Sequence, residues 1–259
     1  MAGPYDDDLR LALRLADTAD ALTLAAFRRE DLVVDTKPDL TPVTEADTGV
    51  ERALRDRIAQ ERPDDAVVGE EFGGRDTTGR RWILDPIDGT KNFVRGVPVW
   101  ATLIALAVDD DVVVGVVSAP ALGRRWWASR GEGAWTRGPE DPVDRRCRVS
   151  GVREPADASF SFSDHVGWPP GALDRLAGAT WRSRGYGDFW SHMLVAEGHV
   201  DIAAEPELDV WDVGALVAIV EEAGGTITAF TGDGGILSGA GAITPNGHLH
   251  DAASRIIRG

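Results

Sequence analysis

The chain has 259 residues, with 27 lysines and arginines against 43 aspartates and glutamates, a formal charge of −16, and 43% hydrophobic residues. These are globular proportions that exclude disorder, collagen and coiled coil, and the length predicts one large domain or two small ones. A surface this acidic argues against a nucleic acid or an anionic membrane as partner, because both present phosphate that a basic surface must neutralise.

Asp6, Asp7 and Asp8 precede apolar residues at Leu9, Ala12, Leu13 and Ala16, a helical period that runs to about Phe27 with the acidic residues at the positive end of its dipole. Leu32 to Val34 reads as a short strand, and Asp35 to Thr44, with Pro38 and Pro42, as an extended loop. Thr44-x-x-Asp47 resembles a capping box that opens a second helix, with Val50, Ala53, Leu54 and Ile58 on its inner face and a stop near Pro63. The period then switches to strands at Ala66 to Val68, Trp82 to Leu84, Val99 to Val108, Val112 to Ala119 and Arg124 to Ser129. This predicts a mostly antiparallel sheet behind two helices.

Gly131 to Asp144, rich in glycine, proline and charge, is where the chain is expected to leave this unit, giving subdomains 1–140 and 141–259. In the second, strands at Ala158 to Phe162, Trp181 to Ser183, Val200 to Ala204 and Thr226 to Phe230 alternate with helices at Gly171 to Ala177, Asp188 to Glu197, Val210 to Ala223 and His248 to Ile257. The fold class predicted is α+β with an α/β second half. The longest uncharged apolar stretch, Gly96 to Val108, is too short for a membrane helix, which needs about 18 such residues. Cys147 is the only cysteine, so neither an internal disulfide nor a cysteine metal cluster can form. The acidic start of the sequence does not read as a secretory leader, and a cytoplasmic protein is expected.

The chemistry concentrates in Asp85-Pro86-Ile87-Asp88-Gly89-Thr90, directly after an apolar strand. Pro86 stiffens the segment, so that two carboxylates and the Ile87 carbonyl can converge, and hard cations take such oxygens. Gly89 lets backbone N–H groups approach an anion, and Thr90 adds a hydroxyl and an amide, as at a phosphate-binding helix start. Alone, Asp-Pro-x-Asp is an ordinary turn, and Asp212 a helix-start aspartate favoured by the dipole. Glu70, ending another strand 15 residues before Asp85, and Trp211-Asp212 at the start of an apolar helix turn the reading towards a metal site. Of the five histidines only the pair His248-x-His250 has a supported ligand spacing, and a lone pair near a C-terminal helix reads as surface; Cys147 reads as a buried inert thiol, and the nine tryptophans as core or interface anchors.

Glu70-Glu71, Asp85 to Phe93, Trp211-Asp212 and Glu221-Glu-Ala-Gly-Gly225 resemble, in order, the signature segments of the inositol monophosphatase family, magnesium-dependent and lithium-sensitive phosphatases of sugar phosphates. Thr36 to Asp47, Lys91 to Trp100, Ser118 to Leu122 and Arg184 to Asp188 resemble its histidinol-phosphatase branch of actinobacterial type. The resemblance implies a layered α-β-α-β-α sandwich and a homodimer acting on a small phosphorylated metabolite. It implies two or three Mg²⁺ per site, with Mn²⁺ as a substitute, on Glu70, Asp85, the Ile87 carbonyl, Asp88 and Asp212.

By the same resemblance, Glu70 and Thr90 orient a metal-activated water and relay its proton, Asp47 supports Thr90, and the Gly89 and Thr90 amides hold the phosphoryl oxygens beside Asp88. Asp188 and Glu205 are then expected to meet the leaving alcohol, with Arg184 and Asn246 as further substrate-binding candidates. The expected reaction is hydrolysis of histidinol phosphate; inositol 1-phosphate or another sugar-alcohol phosphate is the alternative. A non-catalytic, acidic cation-binding protein is the reading from another class. An EF-hand begun at Asp85 fails, because its twelfth position is Gly96 rather than glutamate.

Overall fold

The computed structural model describes residues 3–29, 31–36, 42–74, 78–232 and 234–259. In chain order the elements are α1 (Asp6–Ala26), β1 (Val34–Thr36), β2 (Pro42–Thr44), α2 (Glu45–Glu61), β3 (Ala66–Gly69), β4 (Arg80–Asp88), α3 (Thr90–Val94), β5 (Ala101–Val108), β6 (Asp111–Ala119), β7 (Arg124–Ser129), β8 (Gly133–Arg137) and β9 (Arg145–Arg146). The second half adds β10 (Ser159–Ser161), α4 (Ala172–Ala179), β11 (Arg182–Arg184), α5 (Asp188–Ala196), β12 (Ile202–Glu205), α6 (Val210–Glu222), β13 (Thr228–Ala229), β14 (Ala242–Pro245) and α7 (His250–Arg258). Among the described residues no helix is long and apolar enough to cross a membrane.

Strands β3 to β9 form a seven-stranded sheet in sequence order, antiparallel except for the β3–β4 pair. Successive side chains on a strand point to opposite faces, and both faces here are apolar. Trp82, Leu84, Ile104 and Leu106 pack against Leu11, Leu15, Leu54 and Ile58 of α1 and α2. On the other face, Ile83, Leu103 and Trp126 pack against Phe189 and Met193 of α5 and Val213, Leu216 and Val220 of α6. Every residue of α6 from Val213 to Val220 is buried, as expected of a helix that is apolar all round and lies between layers. A five-stranded mixed sheet, in the order β11-β10-β12-β14-β13, follows. Its Phe160, Ile202 and Ile243 pack with Leu176, Ala253 and Ile257 of α4 and α7. The layers therefore run helices, sheet, helices, sheet, helices.

Four sequence expectations need correction. The strand expected at Leu32 to Val34 is Val34–Thr36, which pairs with Pro42–Thr44; residues 37–41 of the expected loop lie outside the described residues. The segment Gly131 to Asp144, where the chain is expected to leave the first unit and no strand is expected, holds β8, and Gly131 and Gly133, both at positive φ, make the tight turn between β7 and β8. Asp85 to Asp88, expected as a turn after the strand, belongs to β4, whose register with β5 shifts between Asp85 and Asp88; such a bulge re-aims side chains at a strand end. Strand β14, interior to the second sheet, was not expected at all.

Candidate active site

Three helices, α3, α5 and α6, begin around one cavity of ≈ 630 Å³, each bringing a polar residue in its first turn, and Asp47 in the first turn of α2 adjoins it through Thr90. On α2 the Thr44 backbone N–H donates to Asp47 Oδ2 at 2.8 Å, fixing that side chain in the predicted capping box. The same device recurs on α6, where the Asp209 N–H donates to Asp212 Oδ2 at 2.6 Å. Gly89, at φ 82, opens α3, and an added Cβ there would lie 3.0 Å from the Val99 carbonyl and 3.3 Å from Asp188 Oδ2. Thr90 begins α3, its hydroxyl 2.9 Å from the Ile87 carbonyl and 3.5 Å from Asp47 Oδ1. Asp188 begins α5 at φ 48, a left-handed conformation uncommon outside glycine. Helix N-termini carry partial positive charge and unpaired N–H groups, so their convergence favours anions.

Into this cavity β4 delivers Asp88 and the turn after β3 delivers Glu70, and Asp85 lies buried on the same strand as Asp88. Carboxylate oxygens of Asp85, Asp88 and Asp212 all lie within 4.8 Å of one another. Burial pushes the Asp85 carboxyl well above the usual range, and the charges of Glu70, Asp88, Asp212 and Asp47 push it further. Asp88 is raised in the same way by burial, Asp188, Asp212 and Glu205, and lowered only by the Phe189 N–H that donates to it at 2.8 Å. Burial likewise lifts Asp212 to about 7 and Asp47 to about 6. Asp85 Oδ1 is buried without a hydrogen-bond partner.

An all-oxygen donor set, mutual repulsion and one orphaned acceptor together fit a hard divalent cation, which would relieve all three. The sequence did not signal what holds the Glu70 turn. Glu51, buried on α2, accepts from the Glu71 N–H at 2.7 Å, the Phe72 N–H at 3.3 Å and Arg55 Nε at 2.7 Å.

The wall next to Asp88 is acidic as well. Asp188 Oδ2 accepts from Asn92 Nδ2 at 3.1 Å, and burial followed by the neighbouring Glu205 lifts Asp188 to about 7. Glu205, at the end of β12, is 4% exposed and accepts from the Ser163 hydroxyl. Lys91 is the one cation among the described residues lining the cavity. Asn92 and Lys91 stand inside the recognised Asp85 motif, whereas Ser163 carried no sequence signal.

Two candidates lie elsewhere. Arg184 is exposed, outside the cavity lining, and turns to the Ser183 carbonyl. Asn246 is buried; its amide donates to Ser150 Oγ and the Val152 carbonyl while its oxygen accepts from the His248 and Leu249 N–H groups. It reads as a lock on the entry to α7. Cys147 is buried with its thiol pushed up to about 12, mainly by burial, which suits an inert core residue.

Residues 5–258 match the model of the inositol monophosphatase family. The chain is 58% identical over 250 residues to the histidinol-phosphatase of Mycobacterium tuberculosis and 54% identical over 255 residues to that of Streptomyces coelicolor, with 95% of each chain covered in both comparisons. Among solved structures it is similar to an IMPase of Thermotoga maritima, with a TM-score of 0.86 and 31% identity over 97% of both chains.

Proposed function

The chain belongs to the inositol monophosphatase family and is a phosphatase, and we propose that its substrate is histidinol phosphate. The observation that carries this reading is the doubly acidic wall of Asp188 and Glu205 beside the carboxylate cluster. The leaving alcohol of histidinol phosphate bears an ammonium and an imidazole, which pair with carboxylates through charge-assisted hydrogen bonds; inositol bears neither. That relatives 58% and 54% identical carry the name histidinol-phosphatase supports it.

In this reading Glu70, Asp85, the Ile87 carbonyl, Asp88 and Asp212 hold two or three Mg²⁺ ions, for which Mn²⁺ can substitute. When bound, the ions supply Lewis acidity to the phosphoryl oxygens and make a water acidic enough to attack at neutral pH. Thr90, whose hydroxyl reaches Asp47 Oδ1 at 3.5 Å, turns its lone pairs to the attacking water, and Glu70 and Asp47 receive the proton passed on. The Gly89 and Thr90 N–H groups, at the start of α3, hold non-bridging oxygens of the phosphate as charge develops on them. Asp188 and Glu205 orient the alcohol that leaves. The proposal includes a homodimer, as the family resemblance implies, and a cytoplasmic location.

The test is phosphate release by the purified protein from histidinol phosphate, inositol 1-phosphate and glycerol phosphate, with Mg²⁺ and with EDTA. Histidinol phosphate is expected to be hydrolysed with by far the highest kcat/KM, and EDTA to abolish the activity. Equal rates on the three esters, or activity that survives EDTA, would overturn the reading.

A further inference from the structure

Behind Glu205 lies a histidine with no part in the phosphoryl chemistry. His192, on the inner side of α5, is 1% exposed, and its Nδ1 lies 2.8 Å from the hydroxyl of Thr244. Thr244 sits in β14, paired with Ala203 of β12, so the sheet that carries Glu205 also anchors the imidazole. His192 Nε2 is buried without a hydrogen-bond partner, and so is Glu205 Oε1, 3.7 Å away.

A donor and an acceptor left facing each other just beyond hydrogen-bond range are costly to both, because each has been stripped of water. A shift of a few tenths of an ångström closes the gap. When the Thr244 hydroxyl donates to Nδ1, the ring proton sits on Nε2, facing Glu205. Glu205 needs such a support. Among the described residues its other oxygen is held by Ser163 alone, and its charge lies close enough to Asp188 to raise that carboxyl, so repulsion works to swing the two apart.

We propose that His192 is a positioning residue for substrate selectivity: its Nε2–H steadies Glu205 Oε1 from behind, keeping the carboxylate aimed at the cation carried by the leaving alcohol. The inference rests on the histidinol phosphate reading of the same cavity.

The test is steady-state kinetics, at saturating Mg²⁺, on histidinol phosphate and on glycerol phosphate, whose alcohol end is uncharged. His192→Asn keeps a polar group near Nδ1 for Thr244 but removes the donor towards Glu205, whereas the longer amide of His192→Gln can still reach it. His192→Asn is expected to raise KM for histidinol phosphate by about tenfold, the worth of one hydrogen bond to a charged group. The kcat should stay within about twofold and KM for glycerol phosphate should not move. His192→Gln should restore most of the selectivity, and joining His192→Asn to Glu205→Gln should add nothing beyond Glu205→Gln alone.

Should His192→Asn fail to fold, Thr244→Val, which frees the ring from its anchor, should produce the same selective rise. An equal rise for both esters, a Gln variant as poor as the Asn variant, or additive effects would overturn the positioning role. An unaltered enzyme that does not prefer histidinol phosphate would overturn the substrate reading itself, and this inference with it.

Discussion

Asp88 is held in a place that suits a carboxylate only when a cation stands beside it. Burial and three acidic neighbours oppose its charge, and one backbone N–H favours it. Asp88→Asn keeps the shape and the Phe189 contact while removing both the charge and a proposed metal ligand. The expected outcome is a fall in kcat/KM on the order of a thousandfold or more. The melting temperature of the metal-free protein should nevertheless stay level or rise, because a repelled buried charge has gone. Phosphate release and thermal unfolding in EDTA check the two halves; a variant that is active, or one that melts markedly earlier, would count against the role given to this residue.

At the scale of elements, the site depends on close approaches that only small residues allow. A Cβ added at Gly115 of β6 would lie 2.4 Å from the Ala215 carbonyl of α6, the helix whose first turn holds Asp212. Gly115→Ala is therefore expected to cost about 1–3 kcal/mol by overpacking, read as a lower urea midpoint at unchanged slope. A midpoint equal to that of the unaltered protein would contradict this account of α6 packing.

Elements with strong local signals were legible in the sequence. The capping box at Thr44 and Asp47, the acidic first turn of α1 and the apolar run of α6 all appear where the residues indicate. Asp209-x-x-Asp212 repeats the Thr44 pattern and would have placed Asp212 equally well. Strand β14 escaped because it is short, ends in Pro245 and is set by pairing with β12 rather than by its own residues. Strand β8 escaped because the glycines of its hairpin turn look like those of a linker. Among the site residues, those in contiguous motifs could be named, whereas Ser163, Glu51 and His192 reach their places through tertiary packing alone. Arg184 and Asn246 stand near recognisable segments, and only the course of the backbone shows that their side chains turn elsewhere.

The whole molecule carries a charge of −16 and gathers several of its carboxylates in one cavity. Without metal, Asp47 titrates at about 6 and Asp188 and Asp212 at about 7, against 3.8 for an ordinary aspartate. At these three groups the folded chain therefore binds more protons than the unfolded chain between about pH 4 and pH 7, and they make stability fall as pH rises through that window. Thermal unfolding in EDTA between pH 5 and 8 should show the decline, and saturating Mg²⁺ should flatten it, because a bound ion competes with the protons. A metal-free protein that grows steadily more stable from pH 5 to 7 would contradict this electrostatic account.

The most direct measurement is anomalous scattering from crystals grown with Mn²⁺. Strong peaks are predicted between the carboxylates of Asp85, Asp88 and Asp212 and within reach of Glu70. Ordered manganese only at surface carboxylates, or none in the cavity at saturating concentration, would show that the cluster is not a metal centre.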